Sequence, residues 1–240
     1  PFIKDFLDRV LEHGGGEYFD VLNFHYYPTA FGHKWNPYGP GLIGKSTFLR
    51  DKLAAYGLHK PVICTEAGVA NVNTETDEIQ SAYVPILYAQ AMAADLLGLS
   101  WFLLVDQDPG HWKTGLLYSD LTRKPAFYAY RVASERLGNS RFLGPLSGDE
   151  KGTEAMEAHR FLGGDGRTEI IVAWTNDKLT YPLILAAREV FVVDKYGFSS
   201  WVYDWSDGQV DHLTTVAVGP SPVYLYPQPD RTARTPPGEP

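Results

Sequence analysis

Three times between residues 18 and 138 a short apolar run gives way to a long loop and then to a helical pattern. The runs are "YFDVLNFHYY" (18–27), "PVICTE" (61–66) and "SWFLLV" (100–105). The helical segments that follow span 45–57, 78–98 and 124–138. In the first, Leu49, Leu53 and Tyr56 share a face and Gly57 supplies the stop. Asp77 is placed to cap the second, and Pro85 inside it is expected to kink it or to mark a broken start. Pro125 opens the third and Gly138 closes it. A leading helix over 2–13, with apolar residues at 3, 6, 7, 10 and 11, precedes the series and ends at "GGG". Strands alternating with helices imply a parallel sheet covered by helices. The long loops all leave strand ends and the returns are short, as in a barrel of strand–helix units whose working face lies at the strand C-termini. A doubly wound open sheet is the alternative. No Gly-rich phosphate loop follows any strand, which weighs against a nucleotide-binding version of it.

After residue 138 the pattern changes. Short β-rich runs appear at 157–163, 168–175, 189–197, 200–205, 212–219 and 222–227, separated by "GGDG", "DWSDG" and "GPSP". This is the signature of an antiparallel β-sandwich. Residues 228–240 carry four prolines and few apolar groups, and are expected to be disordered. The organisation read from the sequence is therefore a partial barrel over 1–138, a sandwich over 139–227 and a Pro-rich tail over 228–240.

A chain of 240 residues, 44% of them hydrophobic, can build such cores, and its net charge of −8 argues against nucleic acid or an anionic membrane surface as partner. Cys64 has no second cysteine to pair with. No apolar run reaches membrane-spanning length. The first residue is Pro1, so the chain reads as processed or excised, and the sequence does not say whether it is secreted or cytoplasmic.

The chemistry concentrates at strand ends. "KPVICTEAG" finishes an apolar strand on Glu66. Strict alternation puts Val62, Cys64 and Glu66 on one face. A carboxylate at the C-terminal rim needs partners to offset its desolvation, and serves either as a nucleophile or in a rim ion pair. On the preceding strand Asn23, His25 and Tyr27 alternate with Leu22, Phe24 and Tyr26. The polar set is expected to line the lumen and approach Glu66, with the apolar set toward the helices. The loop after the third strand carries Asp106, Asp108, His111 and Trp112. Trp112 and Trp35 are candidate stacking platforms for sugar rings, or ordinary loop packing; Asp106 and Asp108 also read as turn residues before Pro109. The histidines show no metal-ligand spacing, and neither a Gly-x-Ser-x-Gly elbow nor a GxxxxGK loop is present.

Together, "FDVLNFHYYP", "KPVICTEAG" and "WFLLVDQDP…GLLYSDLTRKPAFYAY" resemble the sixth, seventh and eighth strands of retaining glycoside hydrolases of the large (β/α)8 clan A, in particular family 39 with its trailing β-sandwich. The resemblance covers most of residues 1–227. It implies that Glu66 is the nucleophile, that Tyr27 hydrogen-bonds it with His25 alongside, that the substrate is a carbohydrate, and that no cofactor or metal is needed. Asn23, Trp35, Asp106, Asp108, His111 and Trp112 are the candidate substrate contacts. Two departures follow. The family's strand-eight tryptophan sits at a strand end, whereas Trp101 stands at a strand's beginning. The clan's acid/base follows an Asn, and this chain contains no Asn-Glu dipeptide. Retaining hydrolysis uses two carboxyl groups roughly 5–5.5 Å apart. The expectation is thus the C-terminal part of a longer enzyme, inactive alone, relying on a missing N-terminal barrel half or on self-association. A non-catalytic carbohydrate-binding or scaffold module is the competing reading, and a complete enzyme of another class using Glu66 with Asp106 is a third.

Overall fold

A computed structural model describes residues 5–28, 32–71, 74–107 and 113–228. The chain divides into two compact units, with the boundary between Tyr130 and Arg131. That boundary falls inside a helix, whereas the sequence reading put it after the helix, at 138.

The first unit runs α1 (Phe6–Glu12), β1 (Leu22–Tyr26), α2 (Gly41–Ala54), β2 (Val62–Ala67), α3 (Thr74–Ala93), β3 (Leu99–Trp101) and the start of α4 (Pro125–Leu137). The three strands form one parallel sheet in the order β1-β2-β3. In α2, Leu42, Leu49 and Leu53 are buried in a stripe that meets Phe24, Tyr26, Val62 and Cys64 in a single apolar cluster with Leu87 of α3. The helix ends as its sequence suggests. Gly57 takes φ +69°, and the Gly57 and Leu58 amides donate back to Ala54 and Leu53. This is a Schellman motif, and its left-handed residue favours glycine.

Two expectations shift. Asp77 does not cap α3; it lies within the helix, where its carboxylate accepts from Tyr118 Oη at 3.1 Å and from the Asn71 amide. The helix starts earlier, at Thr74, and continues through Pro85. β3 is three residues long rather than six. After it the chain passes through a cis Phe102–Leu103 peptide, and Val105 bridges Leu117.

In the second unit, α4 is followed by β4 (Arg141–Pro145), α5 (Gly148–Lys151), β5 (Met156–Leu162), β6 (Glu169–Thr175), β7 (Tyr181–Leu185), β8 (Glu189–Asp194), β9 (Ser199–Tyr203), β10 (Thr214–Val218) and β11 (Val223–Gln228). A six-stranded antiparallel sheet has the order β4-β5-β6-β11-β8-β9, and β10 pairs with β7 in a second, two-stranded sheet. Met156, Ile171, Val190 and Leu225 of the first sheet and Leu183, Leu185, Val216 and Val218 of the second belong to one buried cluster. The second half of α4 is part of this unit: Val132, Ala133 and Leu137 are buried, and the Arg136 guanidinium lies 5.8 Å from the Tyr226 ring. β11 runs through Gln228, the first residue of the span read as tail; the rest of that span lies outside the described residues. Among the described residues no helix is long and apolar enough to cross a membrane.

Candidate active site

Glu66 sits in the last turn of pleat of β2, opposite His25 in the ladder. Its Oε2 accepts from Tyr27 Oη at 2.8 Å and lies 3.0 Å from His25 Nδ1. The two partners come from β1 and the residue after it, as sequence parity on that strand anticipates: Asn23 and His25 are exposed while Phe24 and Tyr26 are buried against the helices.

On β2 the alternation argument gives the wrong partners for Glu66. Val62 and Cys64 are completely buried in the helix-side cluster, on the face away from His25. Strict parity would send Glu66 there too. The register shows why it does not go: Phe24 pairs with Cys64 and His25 pairs with Glu66, so one residue of β1 advances while two of β2 pass. Thr65 is the extra residue of a β-bulge, and beyond it the faces exchange. Glu66 therefore turns to the open face beside His25. A bulge leaves its extra residue out of the ladder, and here Asn23 takes over. Its Oδ1 accepts from the Thr65 amide at 3.2 Å and from Thr65 Oγ1 at 2.8 Å. Asn23, read as a substrate contact, thus holds the bulge that aims Glu66.

The surroundings set the protonation of the partners. Burial, and then the hydrogen bond to Glu66 and its charge, push the Tyr27 phenol well above its ordinary value, so it stays protonated and donates. The Tyr27 ring meets Phe102 edge-on, with centroids 6.5 Å apart. Phe102, which the sequence does not single out as it does Trp101, is therefore an aromatic neighbour of Tyr27. Trp101 is tied down elsewhere: its indole N–H donates to the Thr114 carbonyl at 2.8 Å. Behind β1, the Lys45 ammonium donates to the His25 carbonyl and lies 5.3 Å from the Phe24 ring and 5.2 Å from that of Trp35, and burial lowers its pKa.

Other candidates are placed differently. Trp35 packs against Phe48 at 5.1 Å and joins the helix-side cluster. Asp106 has both oxygens engaged. Oδ2 meets the fully buried Lys124 Nζ at 2.6 Å, and Oδ1 accepts from the Gly115 amide at 2.8 Å. Lys124 also reaches Asn71 Oδ1 at 3.3 Å. This buried pair ties the loop after β3 to the start of α4. Asp108, His111 and Trp112 lie outside the described residues. Among the described residues no cluster of His, Cys, Asp and Glu could hold a metal ion.

No protein-family profile and no curated protein matches the chain. Solved structures do. A family 39 glycoside hydrolase from the gut symbiont Bacteroides cellulosilyticus superposes with a TM-score of 0.70 at 21% identity, over 94% of this chain and 48% of that one. A family 44 xyloglucanase from Paenibacillus polymyxa gives 0.57 at 14% identity, over 92% and 50%. A family 30 endoxylanase from Clostridium papyrosolvens gives 0.54 at 12% identity, over 93% and 53%. The chain has the fold of about half of each of these glycoside hydrolases, spanning both of its own units. The likeness read from the strand-end motifs is thereby met at the level of fold.

Proposed function

We propose that these 240 residues are the C-terminal part of a retaining glycoside hydrolase, with Glu66 as nucleophile. The observation that carries this reading is the bulge-directed Glu66 at a strand's C-terminal end, held by a phenol and an imidazole on one oxygen. Among the described residues Tyr27 and His25 both take Oε2, which leaves Oε1 for attack on an anomeric carbon. In the first displacement Oε1 bonds to that carbon as the glycosidic C–O bond breaks, and a carboxylic acid gives its proton to the leaving oxygen. In the second, that group takes a proton from water, water attacks the same carbon, and Glu66 leaves as a carboxylate. Tyr27 orients Glu66 throughout, and His25 contacts Glu66 or a sugar hydroxyl.

The acid/base belongs to the part of the barrel outside these residues. Asp108, His111 and Trp112 are retained as substrate contacts, and the second unit is read as the β-sandwich that follows the barrel in sequence. The reaction as written needs no cofactor.

The test is turnover of aryl glycosides with good leaving groups, which relieve the need for acid assistance, and of unactivated glycosides. It is run on this chain alone and again with the preceding coding segment joined to it. General acid–base catalysis typically contributes about 10²–10⁴-fold, and the absent strands would add substrate positioning. The chain alone should leave unactivated glycosides intact, and the joined protein should cleave them until Glu66 is changed to Gln. Cleavage of unactivated glycosides by this chain alone, abolished by Glu66→Gln, would place the acid/base within it and overturn the two-part reading.

A further inference from the structure

The outer edge of the second unit carries aromatic rings that a core does not use. β9 is an edge strand of the six-stranded sheet. Its Val202 packs on the buried cluster, so Trp201 and Tyr203 point to the other face. Trp201 is 45% exposed and Trp205, in the turn after the strand, is 60% exposed. Neither indole is loose. Trp201 leans on its cross-strand neighbour Phe191, with centroids 4.9 Å apart, and Phe191 is backed in turn by Tyr226 at 6.0 Å. Trp205 lies flat on Tyr203, with centroids 4.4 Å apart and planes 7° from parallel. Trp205 thus has one face covered by Tyr203, Trp201 rests on Phe191 with the planes inclined at 46°, and both leave surface to solvent. Trp201 and Tyr203, two residues apart on one strand, stand about 7 Å apart. The result is a rigid row of rings with Trp205 as its outermost plate.

The turn that carries Trp205 also lines a groove. Ser206 and Asp207 border a cavity of about 420 Å³ with Tyr181, Pro182 and Thr215; Asp207 Oδ2 accepts from Thr215 Oγ1 at 2.9 Å and Oδ1 from the Gln209 amide at 3.0 Å, and each oxygen keeps a lone pair for a further donor. Residues 197–228 contain Asp204, Asp207 and Asp211 and no lysine or arginine. Two cations lie near: Arg188 donates to His212 Nδ1 at 3.1 Å, and the Arg136 guanidinium lies 5.8 Å from the Tyr226 ring.

From this geometry we infer that the β9 edge, with Trp201 and Trp205 as platforms and Asp207 as hydrogen-bond acceptor, binds a neutral polysaccharide chain. Flat, immobilised indole faces match the C–H faces of pyranose rings, and their rigidity removes the entropy cost of ordering the platform. A carboxylate with hydroxyl neighbours suits sugar hydroxyls. Asp204, Asp207 and Asp211 around the turn disfavour uronate or sulfate groups and nucleic acid. The inference stands on the second unit alone and does not require Glu66 to be catalytic.

The probes are soluble neutral polysaccharides (xyloglucan, arabinoxylan and mixed-linkage β-glucan) with polygalacturonate as the anionic control. Affinity gel electrophoresis of the 240-residue chain measures binding. Retardation by at least one neutral polysaccharide and none by polygalacturonate is expected. Trp205→Ala and Trp201→Ala should each weaken binding about tenfold or more, with Trp205→Phe intermediate and the exposed Tyr18→Ala unchanged. Circular dichroism of each variant confirms that the fold is retained. Failure of every neutral polysaccharide to retard the chain would overturn the inference. So would binding that Glu66→Gln abolishes and Trp205→Ala spares, because the sugar would then sit in the first unit. A concentration-dependent dimer lost in Trp205→Ala, without glycan binding, would make the row a protein interface and overturn it as well. Glycan binding that survives in Trp205→Ala and Trp201→Ala alike refutes the platform.

Discussion

Replacing Lys124 by Met removes the cation from a carboxylate that has almost no water. The Lys124 side chain is fully buried, that of Asp106 is 8% exposed, and 2.6 Å separates Nζ from Oδ2. Breaking a buried pair by removing one member typically costs about 3–5 kcal/mol, because the other charge stays buried without its partner. Among the described residues Asp106 would keep a hydrogen bond from the Gly115 amide, and Lys124 in Asp106→Leu would keep Asn71 Oδ1 at 3.3 Å, the Lys113 carbonyl at 3.5 Å and the Tyr118 ring at 5.2 Å. Each single variant should therefore fall in that range. The double variant leaves no buried charge. Its main deficit is the orphaned Gly115 amide, which costs about 1–3 kcal/mol. A urea titration followed by hydrogen–deuterium exchange of peptides spanning residues 103–124 isolates the first unit. With a slope of about 2 kcal/mol/M, each single change shifts the midpoint by about 1.5–2.5 M, and the double change by much less than the sum. Additive single effects, or single effects below about 1 kcal/mol, would refute the view that this pair is desolvated and anchors the loop.

Three further outcomes are expected. Cys64 is fully buried and its thiol is pushed up to about 11, chiefly by burial, so a thiol reagent at pH 8 should find no reactive cysteine in the native chain and one after denaturation. The Glu150 carboxyl is held down at about 2, first by the Ser147 amide and then by Arg160 and the Ser147 hydroxyl. A depressed carboxyl stabilises above its unfolded value of 4.5 and loses that contribution as pH falls toward 2, so the stability gap between the native chain and Glu150→Gln should close over that interval in pH-dependent melts. Asn23→Ala removes both bonds to Thr65 at an exposed site where water can substitute, so unfolding should show a loss of only about 1 kcal/mol. Crystallography or ¹³C NMR of Glu66 should nevertheless show the carboxylate displaced from Tyr27.

Much of the first unit was legible because its signals are local. The three strand–helix units, the Gly57 stop and the polar face of β1 follow from periodicity and backbone chemistry. What parity misjudged on β2 is a matter of register between strands. Nothing in "VICTEA" marks Thr65 as a bulged residue, since a threonine is as good a strand residue as its neighbours. The signal lies on the other strand, in Asn23, whose amide was read as facing substrate. In the second unit the six β-rich runs each correspond to a strand, but β4 and β7 went unread. "RFLGP" follows a helix directly and holds a Gly and a Pro, and "YPLIL" carries a Pro that is tolerated in a two-stranded sheet. Asp106 was read from its loop position. Its partner Lys124 lies eighteen residues on and comes close only through the fold.

The most direct test of the central claim is covalent trapping. The chain joined to its preceding coding segment is incubated with a panel of 2-deoxy-2-fluoro glycosyl fluorides, which form the glycosyl–enzyme ester and hydrolyse slowly. Peptide mass spectrometry then locates the label. The account predicts a single glycosyl ester on Glu66, lost in Glu66→Gln and formed at least tenfold more slowly in Tyr27→Phe, where a hydrogen bond to a charged acceptor worth about 1.5–3 kcal/mol is missing. A label on another carboxylate while Glu66 remains unmodified would contradict it.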